Sequence, residues 1–322
     1  MKTLLGVLCA VLAAASVAAI FHTNGYILGL FVAALTIAGV ALAWALLGNL
    51  GGMISLGHAA FFGVGGYASA ILAKSAGWPV LLAIPSAGVV AAMASLVMLP
   101  ILRLRGAYFA LAVLAYAEVF RILATESSGL TGGAAGLLSI PRIPSGGFGL
   151  SDGIVAYSLV VGFVVLLAVC YDRVRRSYSG LALRAMQDSE AATSVLGVPV
   201  FRLKATMLLL SAFATGVFGA FNAHVIGFLQ PDYAFSGDWS ILPMVAAIFG
   251  GYRTVTGPIV GAIAIYLLDQ LVFKNLVPQG HQIVLGILLC AMILFSPRGL
   301  VPIITRGRSA VSKDKDARHV AA

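Results

Sequence analysis

Long apolar runs separated by short polar breaks set the rhythm of this chain from one end to the other. A helix rising ~1.5 Å per residue needs about 20 apolar residues to cross a ~30 Å hydrocarbon layer. On that ruler the pattern predicts spans near 4–21, 26–47, 54–73, 79–100, 107–125, 153–171, 205–226, 240–250, 257–273 and 282–297. The expected fold is an all-α membrane protein, a polytopic bundle of about ten transmembrane helices. Open sheets are excluded because lipid offers their edges no hydrogen-bond partners, and the runs are too long for the alternating segments of a membrane barrel.

Composition agrees: 61% of the residues are hydrophobic and 10% charged, against about 25% charged in an ordinary soluble domain. Residues 1–302 read as one transmembrane domain and 303–322 as a basic tail expected to be disordered. The formal net charge is +9, which in a soluble protein would suggest nucleic acid. Here its distribution decides. With Lys2 inside and the sides alternating, sixteen of the 20 basic residues gather on one side, including Arg103, Arg105, Arg173, Arg175, Arg176, Arg184, Arg202, Lys204, Arg253 and those of the tail. Lys74, Arg142 and Lys274 fall on the other side. That asymmetry is the positive-inside rule, so the charge reports orientation, with both termini cytoplasmic and the bilayer, not nucleic acid, as partner.

Met1 to Ala19 carries two readings, a retained first helix or a cleavable signal peptide, and both leave the later topology unchanged. Cys9, Cys170 and Cys290 lie in apolar runs without metal-ligand spacing and read as small hydrophobes. There is no GxxxxGK[ST] loop, HExxH or GxSxG, so the chain is not expected to be an enzyme, and any nucleotide hydrolysis must belong to another chain. His58 and His224 have no second ligand at helical spacing and read as interior hydrogen-bonding residues, with no metal or bound cofactor expected.

Two segments stand out. Gly48 to Tyr67 is dense in glycine. If helical, Ser55, Ala59 and Gly63 share a face that admits another helix closely, while a break near Asn49–Gly52 would have to be covered by protein or line a watery cavity. The segment therefore reads either as a tight crossing or as part of a permeation path. The second is the inside loop 172–204, which contains two short helical stretches. Ser177 or Ser179 can cap the first, Asp188 or Ser189 the second, and Gly197 with Pro199 ends it. Such a protrusion docks on a partner or lies on anionic lipid.

These residues carry a resemblance. Ser55-Leu56-Gly57-His58-Ala59-Ala60-Phe61-Phe62-Gly63, Leu104-Arg105-Gly106-Ala107-Tyr108-Phe109-Ala110-Leu111, Ala117-Glu118-Val119-Phe120-Arg121, Thr131–Leu137, Asp188–Gly197 with Phe201-Arg202-Leu203-Lys204, Gly257–Ala262 and Phe295–Leu300 occur in an order and spacing that resembles the permease subunits of ATP-driven branched-chain amino-acid importers, in particular the LivM-like member of the pair. The resemblance implies four kinds of partner: ATP-binding subunits that hydrolyse ATP, a second homologous permease, a periplasmic or surface solute-binding protein, and the bacterial inner-membrane bilayer. It implies that Arg184, Asp188, Glu190, Ala191, Ala192 and Gly197 form the coupling element that docks on the ATP-binding subunit. Gly197 follows Glu190 by one residue more than is usual in such importers, and Tyr252 stands where a small residue is common.

The candidate translocation or packing residues are Ser55, His58, Ala59, Gly63, Glu118 and Arg121. Ionised side chains near a helix centre cost ~2.5–3.5 kcal/mol each on insertion scales, so Glu118 and Arg121, three apart, are expected to pair. They either brace the bundle or border the path of a zwitterionic solute. Two alternatives stay open: a permease for urea or short amides in the same family, and an ion-coupled secondary transporter, for which Glu118 and Asp269 are few carboxylates.

Overall fold

The structure, a computed structural model, describes residues 24–104, 106–143, 152–251 and 254–276, with isolated positions between 280 and 290. The expected span 4–21, most of 282–297, the tail 303–322, Cys9, Arg105, Tyr252, Arg253 and the stretch 295–300 lie outside the described residues.

Helix α1 runs Gly25–Ala45, opened by Asn24, whose side chain accepts from the Ile27 amide, and continues through a π turn at Leu46–Leu50. After a non-helical stretch come α2, His58–Ser75, and α3, Val80–Ser95, which tightens into a 3₁₀ segment to Arg103. Helix α4 is Ala107–Glu126 and the short α5 is Ser128–Thr131. Helix α6, Asp152–Arg176, leads into α7, Tyr178–Asp188, and α8, Glu190–Val195. Helix α9, Val200–Ile226, is followed by the short α10, Pro231–Ala234, then α11, Asp238–Gly250, and α12, Gly257–Leu268, which passes through a π turn, Asp269–Phe273, to Leu276.

Of the eight expected spans that fall on described residues, five are helices long and apolar enough to cross a membrane alone: Gly25–Leu50, Val80–Arg103, Ala107–Glu126, Gly153–Arg176 and Val200–Ile226. Of the other three, α2 has 18 residues and is less apolar, and α11 and α12 are shorter. The third expected span begins four residues late, at His58, because its glycine-rich start is not helical. The eighth, α11, has 13 residues, or ~20 Å at helical rise, less than the hydrocarbon thickness.

Helix α9 is the hub, packed on α1, α2 and α3. Its crossing with α2 needs glycine: a Cβ on Gly65 would overlap the Gly216 carbonyl, and one on Gly219 the Phe62 carbonyl. Two backbones meeting this closely gain dispersion contacts along the whole crossing, the main attraction available between helices in lipid. Phe61, Phe62, Phe218 and Phe221 fill the space beside it and are fully buried, and Phe62 stacks on Trp239 of α11 with ring centroids 3.7 Å apart.

The connections gather at two opposite ends. One end holds the π turn of α1, the start of α4 and the α7–α8 pair. The far end holds α5, α10 and an isolated antiparallel bridge between Leu137 and Leu229, with N···O distances of 2.8 and 3.0 Å. There Lys74 also donates to the Leu138 carbonyl at 2.8 Å.

Candidate coupling and translocation sites

The break after α1 is built, not frayed. Trp44 Nε1 donates to the Ser55 carbonyl at 2.8 Å, Ser55 Oγ accepts from the Gly57 amide, and Ser240 Oγ accepts from the Ala59 amide at 2.9 Å. Each bond satisfies a backbone group, the Ser55 carbonyl or the Gly57 or Ala59 amide, that a continuous helix would have satisfied internally. Ser55 is therefore in a fully buried, non-helical stretch of chain and does not share a helical stripe with Ala59 and Gly63. Ala59 lies in the first turn of α2, and Gly63 makes room for the Phe235 ring.

The two buried histidines both stitch α2 to α9. Ser211 gives its hydroxyl proton to the Ala43 carbonyl at 2.8 Å, so it accepts from His58 Nε2–H at 2.9 Å. His224 Nδ1 donates to the Pro141 carbonyl at 2.6 Å, which leaves its Nε2 to accept from Ser69 Oγ at 2.7 Å. His58 Nδ1 is buried without a hydrogen-bond partner, whereas both ring nitrogens of His224 are engaged. Among the described residues no three His, Cys, Asp or Glu side chains gather as a metal site.

In the α7–α8 segment the caps are Ser177, whose Oγ accepts from the Gly180 amide, and Ser189, whose Oγ accepts from the Ala192 amide at 3.2 Å. Gly197 turns the chain at φ +82°, a left-handed conformation that costs little only for glycine. Glu190 is ion-paired with the buried Lys204 of α9. Arg184, Asp188, Ala191 and Ala192 are exposed, beside an apolar set of Tyr178, Leu181, Val195 and Leu196 that is also exposed.

Sequence reasoning missed how this segment is tied to the bundle. Gln187 Nε2 donates to the Asn49 carbonyl and, at 3.2 Å, to that of Leu50, while Asn49 Nδ2 donates to the hydroxyl of the fully buried Tyr171. The α7 helix thus holds the π turn of α1 and, through it, the end of α6. A cavity of about 1020 Å³ opens between these elements and the start of α4, lined by Gly52, Met53, Leu104, Phe109, Gln187 and Glu190 among others. Asn and Gln in apolar surroundings were the available signal, but their partners lie more than a hundred residues away.

Glu118 and Arg121 do pair on α4, with Arg121 Nη2 2.6 Å and Nε 3.0 Å from Glu118 carboxylate oxygens. Arg121 Nη1 also reaches Asp232 of α10 at 2.8 Å, a third member that sequence reasoning did not name. The side chains are not internal to this chain: they are 54%, 32% and 83% exposed for Glu118, Arg121 and Asp232. A smaller cavity of about 420 Å³ lies against Glu118, walled by Leu56, Ala59, Leu111, Leu114 and Phe235.

A bundle of apolar helices, glycine-packed and carrying a capped helical pair at one end, defines an all-α polytopic membrane protein. Comparison with known proteins makes this specific. The chain belongs to the family described as the branched-chain amino acid transport system permease component, whose profile covers residues 26–293. It is 30% identical over 278 residues to the high-affinity branched-chain amino acid transport system permease protein LivM of Escherichia coli, spanning 79% of this chain and 65% of that protein. It is 22% identical over 217 residues to a probable LivM of Methanocaldococcus jannaschii, covering 63% and 62% of the two chains. To the LivH permease of Escherichia coli it is 25% identical over 154 residues, 48% of this chain and 47% of that one. The chain thus spans just under two thirds of the LivM proteins it matches. No solved structure matches it.

Proposed function

We propose that this chain is a membrane-spanning subunit of an ATP-driven importer that moves branched-chain or related amino acids inward. It works with a second homologous permease, with ATP-binding subunits that carry out the hydrolysis, and with a periplasmic or surface protein that delivers the solute. It sits in the bacterial inner membrane with the α7–α8 end in the cytoplasm.

The observation that carries this reading is the α7–α8 pair. Two short helices with serine caps expose Tyr178, Leu181, Val195 and Leu196 to solvent. Large apolar residues grouped on a protruding, ordered element call for a covering partner. The same element holds the π turn of α1 through Gln187, so a push on it is passed to helices that cross the membrane. In this reading Arg184 and Asp188 supply charged contacts to the ATP-binding subunit, Ala191 and Ala192 allow it close approach, Glu190 fixes α8 onto α9, and Gly197 returns the chain to α9. Ser55, His58, Ala59 and Gly63 form the ordered break and crossing near the path, and Glu118 and Arg121 border it.

The test is purification of the tagged chain from cells producing the whole system, followed by ATPase and solute-uptake measurements in vesicles. ATP-binding subunits should co-purify, and Ala192→Glu or Gly197→Val should release them or separate ATP hydrolysis from uptake while membrane insertion is kept. Uptake by this polypeptide alone, driven by an ion gradient, would overturn the reading.

A further inference from the structure

We propose that Glu118, Arg121 and Asp232, with the cavity beside Glu118, form a transit site for the ammonium group of an aliphatic α-amino acid, reaching from Glu118 within α4 to Asp232 at the far end, and that the face of α4 carrying Glu118 borders water and not lipid. The proposal rests on the permease reading above and gives it a chemical address.

One guanidinium serves two carboxylates, so the triad carries a net charge of −1 when all three groups are ionised. A carboxylate accepts about four hydrogen bonds, and Glu118 and Asp232 are both more than half exposed, so oxygen lone pairs remain for a further donor. Glu118 is the twelfth of the 20 residues of α4, ~18 Å along a helix that crosses ~30 Å of hydrocarbon. Exposed ions at that depth are not stable against lipid. Nor does a dry protein cover suit a group with one uncompensated negative charge. Water, or a cation passing through water, is what remains.

The cavity narrows the choice of cation. Apart from Glu118 its wall is Leu56, Ala59, Leu111, Leu114, Ala115, Ala117, Phe235 and Gly237, and its volume of about 420 Å³ is that of a small-molecule site. A bare metal ion makes no use of an apolar wall, and a neutral amide makes no use of the charge. An ammonium group next to a branched alkyl chain uses both, the alkyl chain against Leu111, Leu114 and Phe235. Arg121 acts as a positioning residue, with three of its five N–H donors engaged by the two carboxylates. The carboxylate of the solute is directed away from this net-negative wall.

The experiment uses the complete transporter in proteoliposomes, with native cysteines replaced and Ala115→Cys introduced on the exposed cavity wall. A cationic methanethiosulfonate (the ethyltrimethylammonium reagent) should modify it about tenfold faster than the anionic ethylsulfonate reagent. Glu118→Gln and, separately, Asp232→Asn should each bring that ratio close to one. Asp232 is so exposed that its replacement leaves the fold intact. Binding protein loaded with leucine should slow the reaction, and an excess of acetamide should not. No modification by either reagent, or a ratio that neither substitution moves, overturns the proposal. If such a result comes with normal ATP-driven uptake in the same vesicles, the permease reading stands and only the site falls.

Discussion

Lys204 of α9 holds Glu190 of α8, fourteen positions back in the chain, in an ion pair that the turn at Gly197 makes possible. The lysine side chain is 8% exposed and the glutamate 31%, so the pair lies where water screens it only in part.

Lys204→Ala should loosen α8 from α9. Breaking a fully buried pair costs about 3–5 kcal/mol, and the partial exposure of Glu190 reduces this to about 1–2 kcal/mol. Less ATP-binding subunit should be retained on purification, and the charge-swapped double change Glu190→Lys with Lys204→Glu should recover most of it. A swap as damaging as the single change would mean that Glu190 serves a partner directly.

Gln187→Leu removes the hydrogen bonds from α7 to the Asn49 and Leu50 carbonyls. At about 1–1.5 kcal/mol in all, the expected result is roughly a tenfold loss of uptake per ATP hydrolysed, with the subunits still associated. Unchanged coupling would show that force reaches the membrane by another route.

Gly65→Val places a branched side chain against the Gly216 backbone. Overpacking of this kind costs about 1–3 kcal/mol or more, and thermal unfolding in detergent should begin at a clearly lower temperature. Gly162→Val on α6, where nothing lies within 4 Å of an added Cβ, should leave the midpoint close to that of the parent chain. Equal effects at the two sites would deny the crossing its special packing.

Orientation is open to direct labelling after the native cysteines are replaced. Ser179→Cys on α7 and Ser128→Cys on α5 are both exposed and lie at opposite ends of the bundle. An impermeant thiol reagent added to intact cells should reach the second and not the first. The reverse pattern would invert the topology drawn from the basic residues.

Helix positions were largely legible because the apolar period and the hydrocarbon thickness constrain each other: α4 was expected at 107–125 and forms Ala107–Glu126. The glycine run announced a possible break but not its form, since the bonds from Trp44, Ser240 and Ser211 that hold it depend on which helices become neighbours. The same limit applies to Asp232. Its acidic side chain is unremarkable in sequence, and only the packing of α10 on α4 brings it to Arg121, 111 positions away. Local chemistry such as a serine cap can be read from a few residues, although two candidates remained at each end until Ser177 and Ser189 took the role. Partners chosen by the tertiary fold cannot be read that way.

The dependence of α2 on α9 has a consequence for how the chain is made. His58 and its partner Ser211 are separated by 153 positions, and Ser69 from His224 by 155. At a synthesis rate of ~5–20 residues per second, α2 waits roughly 8–30 s for the helix that will satisfy these side chains. During that interval a nascent chain holds a polar imidazole and hydroxyl at membrane depth with their final partners still unmade. The insertion machinery therefore has to shelter the first half of the bundle until α9 is threaded, and a mutation that delays α9 should expose α2 to membrane proteases before the transporter exists.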